Sequence, residues 1–223
     1  MDLSKSYEFF QPEKCRERIH LIGCGSVGST LAELLTRLGL TRITLYDFDT
    51  VEDHNLANQM FTQADVGKKK TDAVAERMRA INPLIRDDLI IEPEGWKGQK
   101  LSGYVFLAVD NIDLRRRIAK ENEYNPFIRA MFDFRTRLTD AQHYAADWSK
   151  PKMKRAFFDS MAFTQEEADA ETPVSACNVS LCVAPTVWNV CTAGVANFIR
   201  FVNQGEIQRV VLIDAFSFFT QAA

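Results

Sequence analysis

Residues 18–49 read RIHLIGCGSVGSTLAELLTRLGLTRITLYDFD, and the change of period inside that stretch decides the fold. A short apolar run, Ile19 to Ile22, breaks at Gly23, Gly25 and Gly28; Val27, Leu31, Leu34 and Leu38 then recur at the spacing of one buried helix face. Ile43 to Tyr46 return as a second apolar strand that ends in acid at Asp47 and Asp49. Strand, tight turn, helix and strand make a βαβ unit, which joins parallel neighbours through a right-handed crossover.

Working outward, KKKTDAVAERMRAIN reads as a helix stopped by Asn82-Pro83, DDLIIEPE and GYVFLAVD as strands, and NIDLRRRIAKENEY as a further helix. FIRAMFDFRTRL and AQHYAADW read as adjacent strands with no helical pattern between them. The expected fold is therefore α/β: a Rossmann-like, mostly parallel sheet flanked by helices, with an antiparallel extension in the second half. Residues 149–176 are polar and loop-like, and a mobile segment is expected around TQEEADAETP. From Pro185 the helical period returns through Trp188, Cys191, Val195, Phe198 and Val202 until NQG, and RVVLIDAF closes the chain as a strand. With no repeat, low-complexity tract or Pro/Gly/Ser-rich linker, residues 1–223 read as a single domain.

The composition excludes more than it selects. The chain has 223 residues, 46% hydrophobic and 26% charged, as in an ordinary folded protein, and carries a net charge of −3. No broad basic field invites nucleic acid or a membrane surface, and GKKK and LRRR are too short to supply one. The start lacks a secretory pattern and no apolar run is long enough to span a bilayer, so a cytoplasmic location is expected. Five cysteines without C-x-x-C pairs suggest reduced thiols and no zinc site. His20, His54 and His143 have no metal-binding spacing.

The glycine turn carries the chemistry. In GCGSVG, Gly23 permits the sharp turn, Gly25 lets the backbone approach a phosphate, and Gly28 lets helix pack closely on strand. The helix then offers its free N–H groups to an anion. Asp47 follows at the interval where an acid accepts the ribose hydroxyls of a nucleotide. An NAD-dependent oxidoreductase shares this opening, but it leaves the next residues unexplained. Asp49, Asn55, Asn58 and Gln59, then Gly67 and three lysines ending at Lys70, suit a triphosphate better.

In order, GCGSVG, DFDTV, NLANQ, GKKK and VDNIDLR resemble the motifs of the ThiF/MoeB/HesA adenylyltransferases, relatives of the ubiquitin-activating enzymes, across residues 19–117. The resemblance implies a nucleotide-binding half, 1–125, and a partner-binding half, 126–223. It implies that Asp47 holds the ribose, that Asn55 and Gln59 contact the phosphate region, and that Lys70 lies on the outer phosphates of ATP. Asp110 would hold Mg²⁺; as an alternative, an aspartate there caps the following helix. Arg115 matches the arginine after the D-N pair, where it also suits an ion pair. The implied reaction adenylates the C-terminal glycine of a small ubiquitin-like or sulfur-carrier protein, in a homodimer. Catalytic roles fall on Asn55, Lys70 and Asp110, with Cys177 or Cys182 as acyl acceptors.

Two departures stand out. Asn58 occupies the place of the arginine in N-L-x-R-Q, and an amide does not reproduce a guanidinium fork on phosphate oxygens. FFQPEKCRER replaces the family's arginine-bearing N-terminal motif, leaving Arg16 or Arg18 as substitutes. These losses admit a slow or inactive nucleotide-binding relative as the other reading. Asp133 and Arg135, two apart on one strand face, line a groove for the incoming tail or form an ion pair. Cys24 and Cys191 read as core.

Overall fold

A computed structural model describes residues 1–174 and 181–223. Among these, eight strands form one sheet in the order β3-β2-β1-β4-β5-β6-β7-β8. The strands are β1 (Ile19–Ile22), β2 (Ile43–Tyr46), β3 (Ile90–Glu92), β4 (Gly103–Leu107), β5 (Ile128–Thr136), β6 (Asp140–Asp147), β7 (Val210–Asp214) and β8 (Phe219–Ala222). The first five are parallel, with Ile22 of β1 level with Tyr46 on one side and Leu107 on the other. From β5 onward each strand pairs antiparallel with the next. The Rossmann-like sheet with an antiparallel extension is thus as the sequence implied.

Six α-helices among the described residues flank the sheet: α1 (Ser26–Arg37), α2 (Lys70–Ile81), α3 (Ile112–Glu121), α4 (Pro151–Asp159), α5 (Gln165–Glu171) and α6 (Ala184–Gln204). The central strands are buried on both faces, yet their side chains still alternate between two cores. Leu21, Leu45 and Phe106 face a core closed by α1, α2 and α6 through Leu31, Met78 and Phe198. Ile22, Tyr46 and Leu107 face a second core closed by Ile118 of α3 and Phe157 of α4. Phe106 stacks on Phe132 at 4.8 Å and meets Phe198 edge-on at 5.6 Å, fixing α6 over the sheet centre. Cys24 and Cys191 are buried, as expected of core thiols.

Within the stretch 149–176 that reads as irregular, residues 151–171 are corrected, while 175 and 176 lie outside the described residues. Pro151 opens α4, which buries Phe157; α5 begins at a capping box in which Thr164 and Glu167 exchange bonds with each other's backbone N–H. Both helices are too short for periodicity to stand out, and α5 buries no residue at all. The final strand was also incomplete in sequence: a turn after Asp214 leads to β8, paired back on β7. No helix among the described residues is long and apolar enough to cross a membrane.

Candidate active site

Strand order, not strand direction, reverses at β1, whose parallel neighbours β2 and β4 lead away to opposite edges, and ligands of open α/β sheets bind at such a point. A cavity of about 1410 Å³ opens there, beyond the C-terminal ends of β1, β2 and β4. Gly23 sits at φ +98, and a Cβ on it would meet the Ala108 carbonyl oxygen at 2.6 Å. At Gly28 an added Cβ would lie 1.9 Å from the Gly23 oxygen. Only glycine lets the turn cross β4 and lets α1 start against it. Gly25, by contrast, faces open space and lines the cavity.

Asp47 is tied into this turn. Its Oδ2 accepts the Cys24 N–H at 2.6 Å and its Oδ1 accepts that of Asp49 at 2.8 Å. A carboxylate has about four lone-pair sites, so acceptor capacity remains for ribose hydroxyls. Burial pushes its pKa above the usual carboxylate value, opposed by those two N–H groups and by Lys70. Asp49 pairs with Lys70, Nζ to Oδ2 2.9 Å, and its backbone oxygen accepts the Lys70 N–H at the start of α2. Lys70 is buried along its stem with its ammonium at the cavity wall.

Asn55, Asn58 and Gln59 lie on the short 3₁₀ turn at Asp53–Ala57 and just after it. Asn55 is buried and its Oδ1 accepts the Glu52 N–H at 2.9 Å, which leaves its NH₂ without a protein partner among the described residues. Gln59 Oε1 is buried without a partner among the described residues. Asn58 does something else: its Nδ2 donates to the Cys182 carbonyl at 3.0 Å, clamping the start of α6 to this turn.

The alternative role for Asp110, a helix cap, falls to its neighbour. Asn111 is the N-cap of α3, its Oδ1 accepting the Leu114 N–H at 2.7 Å, while Asp110 is exposed at the cavity with no protein cation on it among the described residues. A hard divalent cation bound to phosphates needs few protein carboxylates, so one free aspartate fits Mg²⁺. No cluster of three or more His, Cys, Asp or Glu side chains able to hold a metal ion occurs among the described residues.

The far wall is built by β5, β6 and the segment after α4. Arg135 lines it, donating from Nε to Asp133 at 2.7 Å and from its Nη groups to Ser160, with its guanidinium 4.4 Å over the Tyr144 ring. Of the two readings of the Asp133/Arg135 pair, the structure describes the ion pair; Arg135 lines the cavity, whereas Asp133 is buried behind it and does not. Arg115 is also paired with Asp133. The sequence reading missed Tyr144, Ser160, Phe163 and Gln165 as lining residues; the last three sat in the stretch read as loop.

Cys182 lines the cavity, and burial raises its thiol above the ordinary range, with Thr136, Asn58 and Ser26 hydrogen-bonding against that. Cys177 lies outside the described residues. Arg16 and Arg18 are a correction. Both precede β1, at the opposite edge of the sheet, where Arg18 donates to the Asp88 carbonyl at 2.9 Å and the Arg16 carbonyl accepts from Arg42. Neither lines the cavity.

The order of these groups along one rim finds its match over nearly the whole sequence: residues 10–222 fit the ThiF family. The chain belongs to the ThiF family. Among similar proteins, ubiquitin-like modifier-activating enzyme 5 of Arabidopsis thaliana is 43% identical over 81 residues, covering 36% of this chain and 18% of the relative. Its counterpart in Drosophila mojavensis is 30% identical over 151 residues, covering 57% and 36%. The matched stretches therefore span less than half the length of these relatives. Escherichia coli MccB, solved with ATP, has the same fold at a TM-score of 0.68 and 15% identity, over 95% of this chain and 64% of MccB. This ThiF chain thus shares with MccB the Rossmann-like core that positions its cavity.

Proposed function

We propose that this ThiF chain is an ATP-dependent adenylyltransferase that activates the C-terminal glycine of a small ubiquitin-like or sulfur-carrier protein. One observation carries the reading: Gly25, Asp47, Asn55, Lys70 and Asp110, drawn from five separate motifs, line a single cavity that continues along Arg135 and Tyr144. That continuation leaves room for an extended chain end. The names of the relatives and the ATP bound by MccB support the same reading.

In this mechanism Asp47 accepts the ribose hydroxyls, the glycine turn and the start of α1 offer N–H groups to the phosphates, and Asn55 adds its NH₂. Lys70 shifts its charge from Asp49 toward the departing phosphates. Asp110 would hold Mg²⁺, which when bound neutralises charge on the triphosphate. The glycine carboxylate oxygen bonds to the α-phosphorus, the bridging P–O bond breaks, and pyrophosphate leaves with the electron pair. The catalytic contribution is positioning and charge neutralisation. Residues 1–125 form the nucleotide-binding half and 126–223 the partner-binding half, working as a cytoplasmic homodimer. Later transfer to Cys177 or Cys182 belongs to the same proposal, though Cys182 needs a cation brought by ligand or partner to become a thiolate.

The reading is tested by supplying purified protein with [α-³²P]ATP, Mg²⁺ and candidate proteins ending in glycine. Labelled acyl-adenylate and released pyrophosphate are expected; binding of NAD in place of ATP would sink it. A second reading, a nucleotide-binding scaffold without catalysis, is favoured by Asn58, whose amide is committed to Cys182 where the family's arginine stands. It predicts ATP binding with no pyrophosphate release from any such partner.

A further inference from the structure

Asp133 is 0% exposed, at the centre of the sheet, and each of its oxygens holds a different arginine. Oδ1 accepts from Arg115 Nη1 at 2.6 Å and Oδ2 from Arg135 Nε at 2.7 Å. A buried carboxylate between two guanidiniums is costly to desolvate and is a poor device for stability alone. Its geometry points to another use. Arg115, held at one end by Asp133 and by the Phe134 carbonyl at 2.8 Å, closes its fork on the Val109 carbonyl, from Nε at 2.7 Å and also from Nη2. That oxygen belongs to the peptide group joining Val109 to Asp110. Gripping it fixes the plane from which the Asp110 side chain departs.

We infer that Asp133 is a positioning residue: through Arg115 it sets the Asp110 carboxylate toward the metal of a bound triphosphate, and through Arg135 it ties that setting to the wall of the tail groove. The inference rests on the proposed binding of Mg·ATP. Asp133 touches neither nucleotide nor tail. Arg135 has five N–H donors, of which three are engaged by Asp133 and Ser160, so two remain for an occupant of the groove. Removing the Asp133 charge sets two arginines against each other without the anion that separates them.

Calorimetric titration of the full chain with ATP, in EDTA and then in excess MgCl₂, separates the metal's share of binding from the rest. In Asp133→Asn the affinity gained on adding Mg²⁺ is expected to fall about tenfold, the scale on which partners of metal ligands act, while affinity in EDTA is unchanged. Arg115→Lys keeps the buried charge but loses the fork on Val109, and is expected to show the same selective loss even where Asp133→Asn is too unstable to titrate. Equal losses with and without Mg²⁺, or an intact Mg²⁺ gain in Arg115→Lys, would overturn the inference and assign Asp133 a structural role. A wild-type chain that binds no ATP under either condition would overturn the nucleotide reading itself.

Discussion

Asp47 accepts two backbone N–H groups within the protein itself, so its orientation is set by the glycine turn and not by a ligand. Asp47→Ala is expected to weaken ATP binding by about 10- to 100-fold, the scale of a charge-assisted hydrogen bond, measured by calorimetry. Gly25 offers a cleaner separation of folding from binding, because a methyl there meets no protein atom and projects into the cradle. Gly25→Ala should shift unfolding free energy by no more than about 1 kcal/mol in a urea titration, yet lose most of its ATP affinity. The residues that sequence reading placed in the site reached it wherever a motif fixed both chemistry and position: Gly25, Asp47, Asn55, Lys70 and Asp110. Asn58 was legible as a departure but not as a clamp, since its partner is the Cys182 carbonyl, remote in sequence. Arg16 and Arg18 suggest themselves as substitutes for the family's N-terminal arginine by position in the sequence alone, and that position falls before β1, away from the cavity. The double engagement of Asp133 needed β5 and α3 side by side in space.

At the scale of elements, α5 is the piece that sequence concealed and the site uses. It buries nothing, so no apolar period announced it; its only signal was the T-Q-E-E capping box. Yet Gln165, its first residue, accepts the Ile112 N–H at 2.8 Å, which joins α5 to the first turn of α3 beside Asp110. Thr164→Ala removes the cap and should cost the helix about 1 kcal/mol of local stability, read as faster amide exchange across Gln165–Glu171 with the central strands unaffected. The strands and the long helices were legible for the converse reason. Their apolar residues face two cores at fixed intervals, and α6 carries Pro185 at its start and Gly205 in the left-handed conformation at its end.

Across the whole molecule, acid sensitivity follows from two histidines sealed into the sheet. Burial lowers His20 and His143 to about 4, helped at His20 by Arg18 and opposed at His143 by Asp133. Unfolded, both imidazoles take up protons below about pH 6.5, whereas the folded ones do not until about 4. Between those values the unfolded chain binds more protons, so stability is complete above about 6.5 and falls as pH drops toward 4. Urea midpoints measured across that interval should decline with acid, and His143→Gln should flatten the decline. The strand order has a practical corollary as well. Gly25, Asp47, Asn55, Lys70 and Asp110 line a cavity at one rim, while the connection from α3 to β5 turns at the other rim, where Tyr124 is 85% exposed. A fluorophore or affinity handle grafted at that turn would report on the protein from behind its cavity, leaving the cavity mouth unobstructed.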